Sequence, residues 1–358
     1  MGYTRVKKGM QEIGMGLHSS PTLKTSGFPA AHSMNVSLQL VTGKDTQAPA
    51  TVFDAFVGQE AAIKKLQFFL SASGPNMPVF PTLLFTGSHG LGKTYLAQKV
   101  AENMHRRFVE LNAATIESGS DFLNKVILDR IAGDTPVTVL MDEAHALHGE
   151  VTDMLLTVLS PNKDGKNHIR AGKCEYEYDM SKINMILATT DAFSMFNALV
   201  NRTERIYFES YSAYDLLNML KLYLPDVVLA CNVKELTDAC RGRGRDTFRL
   251  AQHIQRFCKI QNQKVFDQID WKELKGILEI YPLGLNKQEV EVLRQIGING
   301  PMSATNLAAS MMIGEGALTV ELETRLRELN LLTTSSKGRV LTDEGRKYWD
   351  EHISLINV

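Results

Sequence analysis

A chain of 358 residues exceeds what one ordinary hydrophobic core supports, so two or three domains are expected. Hydrophobic residues at 44% and charged residues at 22% exclude a disordered chain, and a formal net charge of −1 excludes a polyanion-binding surface spread over the whole molecule. Cys174, Cys231, Cys240 and Cys258 form no C-x-x-C pair and have no histidine cluster beside them, which argues against a disulfide scaffold or a zinc centre.

Residues 1–50 are rich in Gly, Ser, Thr and Pro and read as a flexible arm, with Val36–Val41 as one short alternating strand. Arg5, Lys7, Lys8, Lys24 and Lys44 outnumber Glu12 and Asp45 there. The basic start is not followed by a long apolar stretch, and no run reaches the length of a membrane span, so a cytosolic protein with no membrane partner is expected. Over 51–210 strands and helices alternate. The candidate strands are Thr82–Thr86, Phe108–Leu111, Val137–Met141, Ile183–Thr189 and Arg205–Phe208; the helices include Gln59–Ser71, Thr94–His105 and Val151–Leu159. That alternation predicts an α/β domain with a mainly parallel sheet covered on both faces. Residues 211–281 turn helical, with Ala213–Leu224, Val233–Cys240 and Thr247–Asn262 forming a small all-α lid. Over 282–358, Asn286 and Glu289 make a capping box for a helix through Ile296. Helices at Ser303–Met311 and Thr319–Leu329 follow, and then a hairpin around Ser335-Ser336-Lys337-Gly338, the layout of a winged helix.

Gly87-Ser88-His89-Gly90-Leu91-Gly92-Lys93-Thr94 fits G-x-x-x-x-G-K-[ST] between an apolar strand and a helix start. A glycine-rich turn in that place aims backbone N–H groups and a helix N-terminus at one spot. Lys93 can then reach the β- and γ-phosphates of a nucleoside triphosphate, and the Thr94 hydroxyl can ligate Mg²⁺. About fifty residues on, the apolar run Val137–Met141 ends in Asp142-Glu143, as expected within a phosphate-loop domain. Asp142 can hold Mg²⁺ and Glu143 can polarise the attacking water as general base. Asp142-Glu143-Ala144-His145 also spells a helicase-type D-E-A-H, but the other motifs of that class do not follow. A polar side chain at the tip of the next strand, in Ala188-Thr189-Thr190-Asp191, can orient water against a γ-phosphate. Arg202 or Arg205 can reach a neighbouring subunit's triphosphate, and one arginine of Arg241-Gly242-Arg243-Gly244-Arg245 can contact nucleotide across a domain cleft.

In their order these parts resemble the AAA+ ATPases, and within them the RuvB motors of bacterial Holliday-junction branch migration. Phe53–Glu60 is similar to the family's F-I-G-Q-E segment near the adenine, Gly90–Thr94 to its phosphate loop, and Asp142–His145 to its D-E-I-H. Ala188-Thr189-Thr190 resembles its A-T-T, Leu199–Arg202 its L-R-D-R, and Arg241–Arg245 its R-G-T-P-R. Asn306–Ser310 and Lys337-Gly338-Arg339 resemble its winged helix and wing. The resemblance implies nucleotide contacts at Phe56, Val57, Gly87, Gly90, Leu91, Gly92, Lys93, Thr94, Tyr95, Asp142 and Arg245, the last as sensor 2. It implies Thr190 as sensor 1, Arg202 as an arginine finger supplied to a neighbour, and DNA contacts at Lys337 and Arg339. ATP and Mg²⁺ are the implied cofactors. The implied partners are duplex or four-way junction DNA, a RuvA-like junction-binding protein, and further copies of the chain in a hexameric ring.

The chain departs from the family at several points. Ser88-His89 replaces a Pro-Pro pair, Asp191 stands in place of Arg, Val200 replaces the first Arg of L-R-D-R, and Gly244 replaces the Pro of G-T-P-R. The segment Asn162–Ser181, expected as the partner-binding hairpin, is read with a polar tip at Asp164–Asn167. Two other readings are carried beside the DNA motor. One is a loader or remodeller of a replication or recombination complex. The other is a nucleotide-locked binding module, against which Glu143 argues, because a lock needs no water-activating carboxylate.

Overall fold

The computed structural model describes residues 53, 56–72, 80–122, 135–159, 166–171, 174–179 and 182–353. Residues 1–50, with the strand expected at Val36–Val41, lie outside them. Through residue 210 the strands are β1 (Leu83–Thr86), β2 (Arg107–Asn112), β3 (Val137–Asp142), β4 (Lys166–Ala171), β5 (Cys174–Asp179), β6 (Ile183–Thr189) and β7 (Glu204–Tyr207). Five of them form one parallel sheet in the order β2-β3-β6-β1-β7. All seven residues of β6 and the first five of β3 are buried, as strands covered on both faces must be.

Alternation along the strands divides the core. Leu83 and Phe85 point to a layer containing Leu66 of α1 (Glu60–Ser71) and Leu96 and Val100 of α2 (Lys93–Asn103). Leu84 points to the other layer, with Val139, Met141, Leu187 and Leu155 of α3 (Gly149–Val158). Because every strand of this sheet runs the same way, the phosphate loop, Asp142-Glu143 and Thr189-Thr190 all emerge at its carboxyl-terminal edge.

β4 and β5 form a separate antiparallel hairpin whose ladder runs from Lys166↔Asp179 to Ala171↔Cys174. Lys166 and Asn167 therefore sit at the open end of the ladder, and the polar tip read at Asp164–Asn167 is misplaced. The alternation of polar and apolar residues through the strands hides which end closes.

The lid comprises α4 (Ala213–Tyr223), α5 (Val233–Ala239), α6 (Gly244–Ile260) and α7 (Gln268–Ile277). It also holds a two-stranded parallel sheet of Val228–Ala230 with Val265–Asp267, too short for its periodicity to show in the sequence. Helix α7 has a capping box between Asp267 and Asp270. Leu216, Leu220, Ile254 and Trp271 of the lid belong to the same buried cluster as Leu66, Phe85 and Leu96, so packing is continuous across residue 210.

The C-terminal domain has its own core, including Leu293, Leu307, Leu322 and Leu332. Its first helix, α8 (Lys287–Asn299), has the expected Asn286–Glu289 capping box and runs three residues past Ile296. After α9 (Ala304–Ser310), a wide turn over Leu318–Glu323 leads into α10 (Thr324–Glu328) and places Glu323 fully inside. Leu332–Ser335 and Gly338–Leu341 form the antiparallel wing. Glu289, also fully buried, accepts from both terminal guanidinium nitrogens of Arg241 and joins this domain to the lid.

Candidate active site

Three glycines allow the phosphate loop its path, and two of them show why no other residue serves. Gly87 has φ +155, and a Cβ there would lie 2.6 Å from the Phe208 carbonyl oxygen. Gly92 has φ +94 and caps α2; a Cβ there would press on the Phe56 ring and the Tyr211 hydroxyl, each 3.1 Å away. Lys93, in the first turn of α2, is buried, and its Nζ donates to the carbonyls of Gly87 (2.7 Å) and Ser88 (2.9 Å). Burial lowers its pKa, the carboxylates of Asp142 and Glu143 act in the opposite direction, and Arg245 lowers it further. The ammonium group is thus folded onto neutral loop carbonyls in a field of two acids. A phosphate group carries the charge that those carbonyls lack, so the residues present fit a nucleoside phosphate.

Asp142 ends β3 and accepts the Glu143 N–H on Oδ1 (3.0 Å). Glu143 has the left-handed backbone φ 55, ψ 42, a conformation that costs a non-glycine residue free energy and recurs at functional sites. Two histidines bracket its carboxylate. His89 of the phosphate loop has Nδ1 3.5 Å from Oε1, and His145 has Nδ1 3.5 Å from Oε2. His145 Nδ1 is also 3.0 Å from the Thr189 hydroxyl, which accepts the Asp191 N–H. Thr189 is fully buried with its hydroxyl in use, whereas Thr190, one residue beyond β6, is half-buried with no side-chain hydrogen bond among the described residues. Asp191 turns the chain by accepting the N–H groups of Phe193 and Ser194. Among the described residues no group of three or more His, Cys, Asp or Glu side chains has metal-holding geometry. A divalent ion here would be held by Thr94 and Asp142 together with a nucleotide's own phosphates.

Phe56 packs beside Tyr95 with ring centroids 5.6 Å apart, and the Phe56 ring lies next to Gly92. Val57 packs on the same core layer. The Arg245 N–H donates to the Gly90 carbonyl (3.2 Å), so the start of α6 is docked on the phosphate loop. Arg202 stands elsewhere. It is exposed, donates to the Ala198 carbonyl (2.8 Å), and precedes β7, whose first residue Glu204 pairs with Leu83. The phosphate loop begins after Thr86, at the other end of the same register, so about 13 Å of strand separates Arg202 from it.

Two positioning residues have no motif to reveal them. Tyr211 is buried, donates its hydroxyl to the Leu91 carbonyl (2.8 Å), and has its pKa pushed up by burial. Gln59 clamps residue 209 by donating to its carbonyl (2.7 Å) and accepting its N–H (3.1 Å), which fixes the approach to Tyr211. Both contacts span more than a hundred residues and leave no local trace.

At the wing, Lys337 is exposed, but Arg339 is turned inward. Its Nε donates to Glu323 (2.8 Å), which also takes Arg327 (2.8 Å). The buried carboxylate shares the two cations, which withdraws Arg339 from the freely presented DNA contacts expected of it.

Residues 83–211 match the family model described as "ATPase family associated with various cellular activities (AAA)", and residues 282–350 match that of the "RuvB C-terminal winged helix domain". The Holliday junction branch migration complex subunit RuvB of Mycoplasma genitalium is 27% identical over 310 residues, covering 84% of this chain and 97% of the relative. The subunit of the same name from the Wolbachia of Drosophila simulans is 27% identical over 308 residues, covering 82% and 92%. Among solved structures, the RuvB Holliday junction branch migration motor of Thermotoga maritima superposes with a TM-score of 0.69 at 21% identity, covering 83% of this chain and 96% of that one. A match to the AAA ATPase family and a match to the RuvB-type winged helix thus stand in one chain, which along most of its length is similar to the RuvB branch-migration subunits.

Proposed function

We propose that this chain is the ATP-driven motor subunit of a ring that moves the branch point of four-way DNA junctions. The observation that carries it is the separation of Arg202 from its own phosphate loop, the one preceding β7 and the other following its sheet neighbour β1. An arginine finger at the far end of the sheet serves a neighbouring subunit's triphosphate, so hydrolysis is built to occur between protomers of a homo-oligomer, expected to be a hexamer. Bound Mg²⁺ and triphosphate supply the electrophilic phosphorus and its charge neutralisation. The protein's part is to hold and orient. Lys93 leaves the Gly87 and Ser88 carbonyls for phosphate oxygens, Thr94 and Asp142 hold the ion, and Phe56, Val57 and Tyr95 flank the base. Glu143 takes a proton from the attacking water, and Thr190, whose hydroxyl has no partner among the described residues, orients that water. Arg245 reports the nucleotide to the lid through its place on Gly90. The relatives' names associate them with Holliday-junction branch migration, and a RuvA-like protein is the expected junction-holding partner.

The test is branch migration on a synthetic four-way junction, with ATP, with and without a RuvA-type protein, using the wild-type chain and Glu143→Gln. Migration by the wild type and none by Glu143→Gln is expected. Absence of migration together with stimulation of ATPase by a replication protein would establish the loader reading instead.

A further inference from the structure

The C-terminal domain commits most of its cations. Arg327 and Arg339 pair with Glu323, Arg325 with Glu328, Arg294 with Glu291 and Lys287 with Glu279. Over 282–358 acidic residues outnumber basic ones, ten to eight. Only Lys337, Arg346 and Lys347 remain there without an acidic partner among the described residues, and because affinity for duplex DNA comes mainly from neutralising phosphates, a DNA motor of this composition gains from further uncommitted cations elsewhere.

They lie on α6 of the lid. Arg245, Arg249, Gln252, Arg256 and Lys259 recur at spacings of four, three, four and three residues, and all are exposed. At about 100° per residue they fall within an arc of about 80°, a straight stripe about 21 Å long. The opposite side of the helix is buried through Leu250, Ala251, Ile254, Phe257 and Cys258, so the stripe cannot roll away from solvent. Arg249, Arg256 and Lys259 have no acidic partner among the described residues, and the one acid of the helix, Asp246, is in its first turn. A solvated helix face of this length ordinarily mixes both signs.

We propose that this stripe is a contact surface for the phosphate backbone of duplex DNA, an inference that rests on the DNA-motor reading. A line of this length is long enough to follow several successive phosphates of one strand. Three fixed cations and the amide of Gln252 suit that array, in which phosphate contacts position the protein without reading sequence. The stripe begins at Arg245, whose N–H is bonded to Gly90, so backbone contact along α6 reports directly to the nucleotide loop.

Fluorescence anisotropy of a labelled duplex, titrated with full-length protein over a salt series, decides it. The triple variant Arg249→Ala, Arg256→Ala, Lys259→Ala should lose two to three units from the slope of log K against log salt, at about 0.9 per phosphate contact. Arg249→Lys with Arg256→Lys should keep the wild-type slope, because the charge is retained. If the triple variant does not fold, each single alanine variant should lose about 0.9 units. An unchanged slope overturns the proposal, and so does a change confined to assembly in sedimentation, which would make the stripe a protein contact. If the wild type does not bind duplex at all, the DNA-motor reading itself has failed, a result distinct from either.

Discussion

At the phosphate loop, Lys93 is buried with its ammonium on two neutral carbonyls, contacts that a phosphate can replace. At the wing, Arg339 is half-buried and rests on a fully buried carboxylate, Glu323, which would be left with Arg327 alone if Arg339 turned to solvent. The two regions show that a basic residue in a functional motif is informative only when its resting partner is weaker than its intended ligand. Lys93 passes that test, Arg339 does not, and Lys337 and the exposed cations of α6 meet it by having no acidic partner among the described residues.

The sharpest way to break this comparison is Arg202→Ala. A finger supplied between subunits contributes on the order of 10³–10⁵ in rate, so turnover should nearly vanish while ATP binding persists. Mixing Arg202→Ala with Glu143→Gln subunits should recover part of the activity, since some sites then combine an intact finger with an intact base. Wild-type turnover in Arg202→Ala would remove the residue from the mechanism. Glu143→Gln comes next, with a loss of about 10²–10⁴ in kcat for a missing general base, read by phosphate release at saturating DNA. Nucleotide affinity should survive in that variant but not in Lys93→Ala.

Third is Arg241→Ala. It strands Glu289, whose side chain is 0% exposed, and should cost about 3 kcal/mol in a urea titration, because breaking a buried pair leaves one charge without its partner. Smallest are the two wing variants, which should separate cleanly. Arg339→Ala should cost about 1–2 kcal/mol of stability through Glu323 and change the DNA salt slope little. Lys337→Ala should leave stability alone and lower that slope by about 0.9. The reverse pattern would restore Arg339 to the DNA surface.

What the sequence disclosed follows the range of the interactions. The strands of the sheet were legible because burial on both faces makes each a continuous apolar run, as in Val137–Met141. The phosphate loop and the carboxylate pair were legible because their parts are contiguous. Long-range partners were not. Nothing near Tyr211 shows that its hydroxyl reaches Leu91, and nothing in Arg339 shows that a wide turn sixteen residues earlier has buried Glu323. The same limit misplaced the hairpin tip, since Lys166–Asp179 pairing is a register and not a composition. His89 is an intermediate case. The departure from Pro-Pro was visible, but its contact with Glu143 became visible only in three dimensions.

The bond between the Arg245 N–H and the Gly90 carbonyl makes α6 a lever with its fulcrum on the phosphate loop. A 17-residue helix is about 25 Å long, so a tilt of about 10° at its start carries the far end about 4 Å. That is more than the rise between successive base pairs, about 3.4 Å. A change at the loop too small to disturb its own packing is thus large enough, at Lys259, to advance a grip by one step along a duplex.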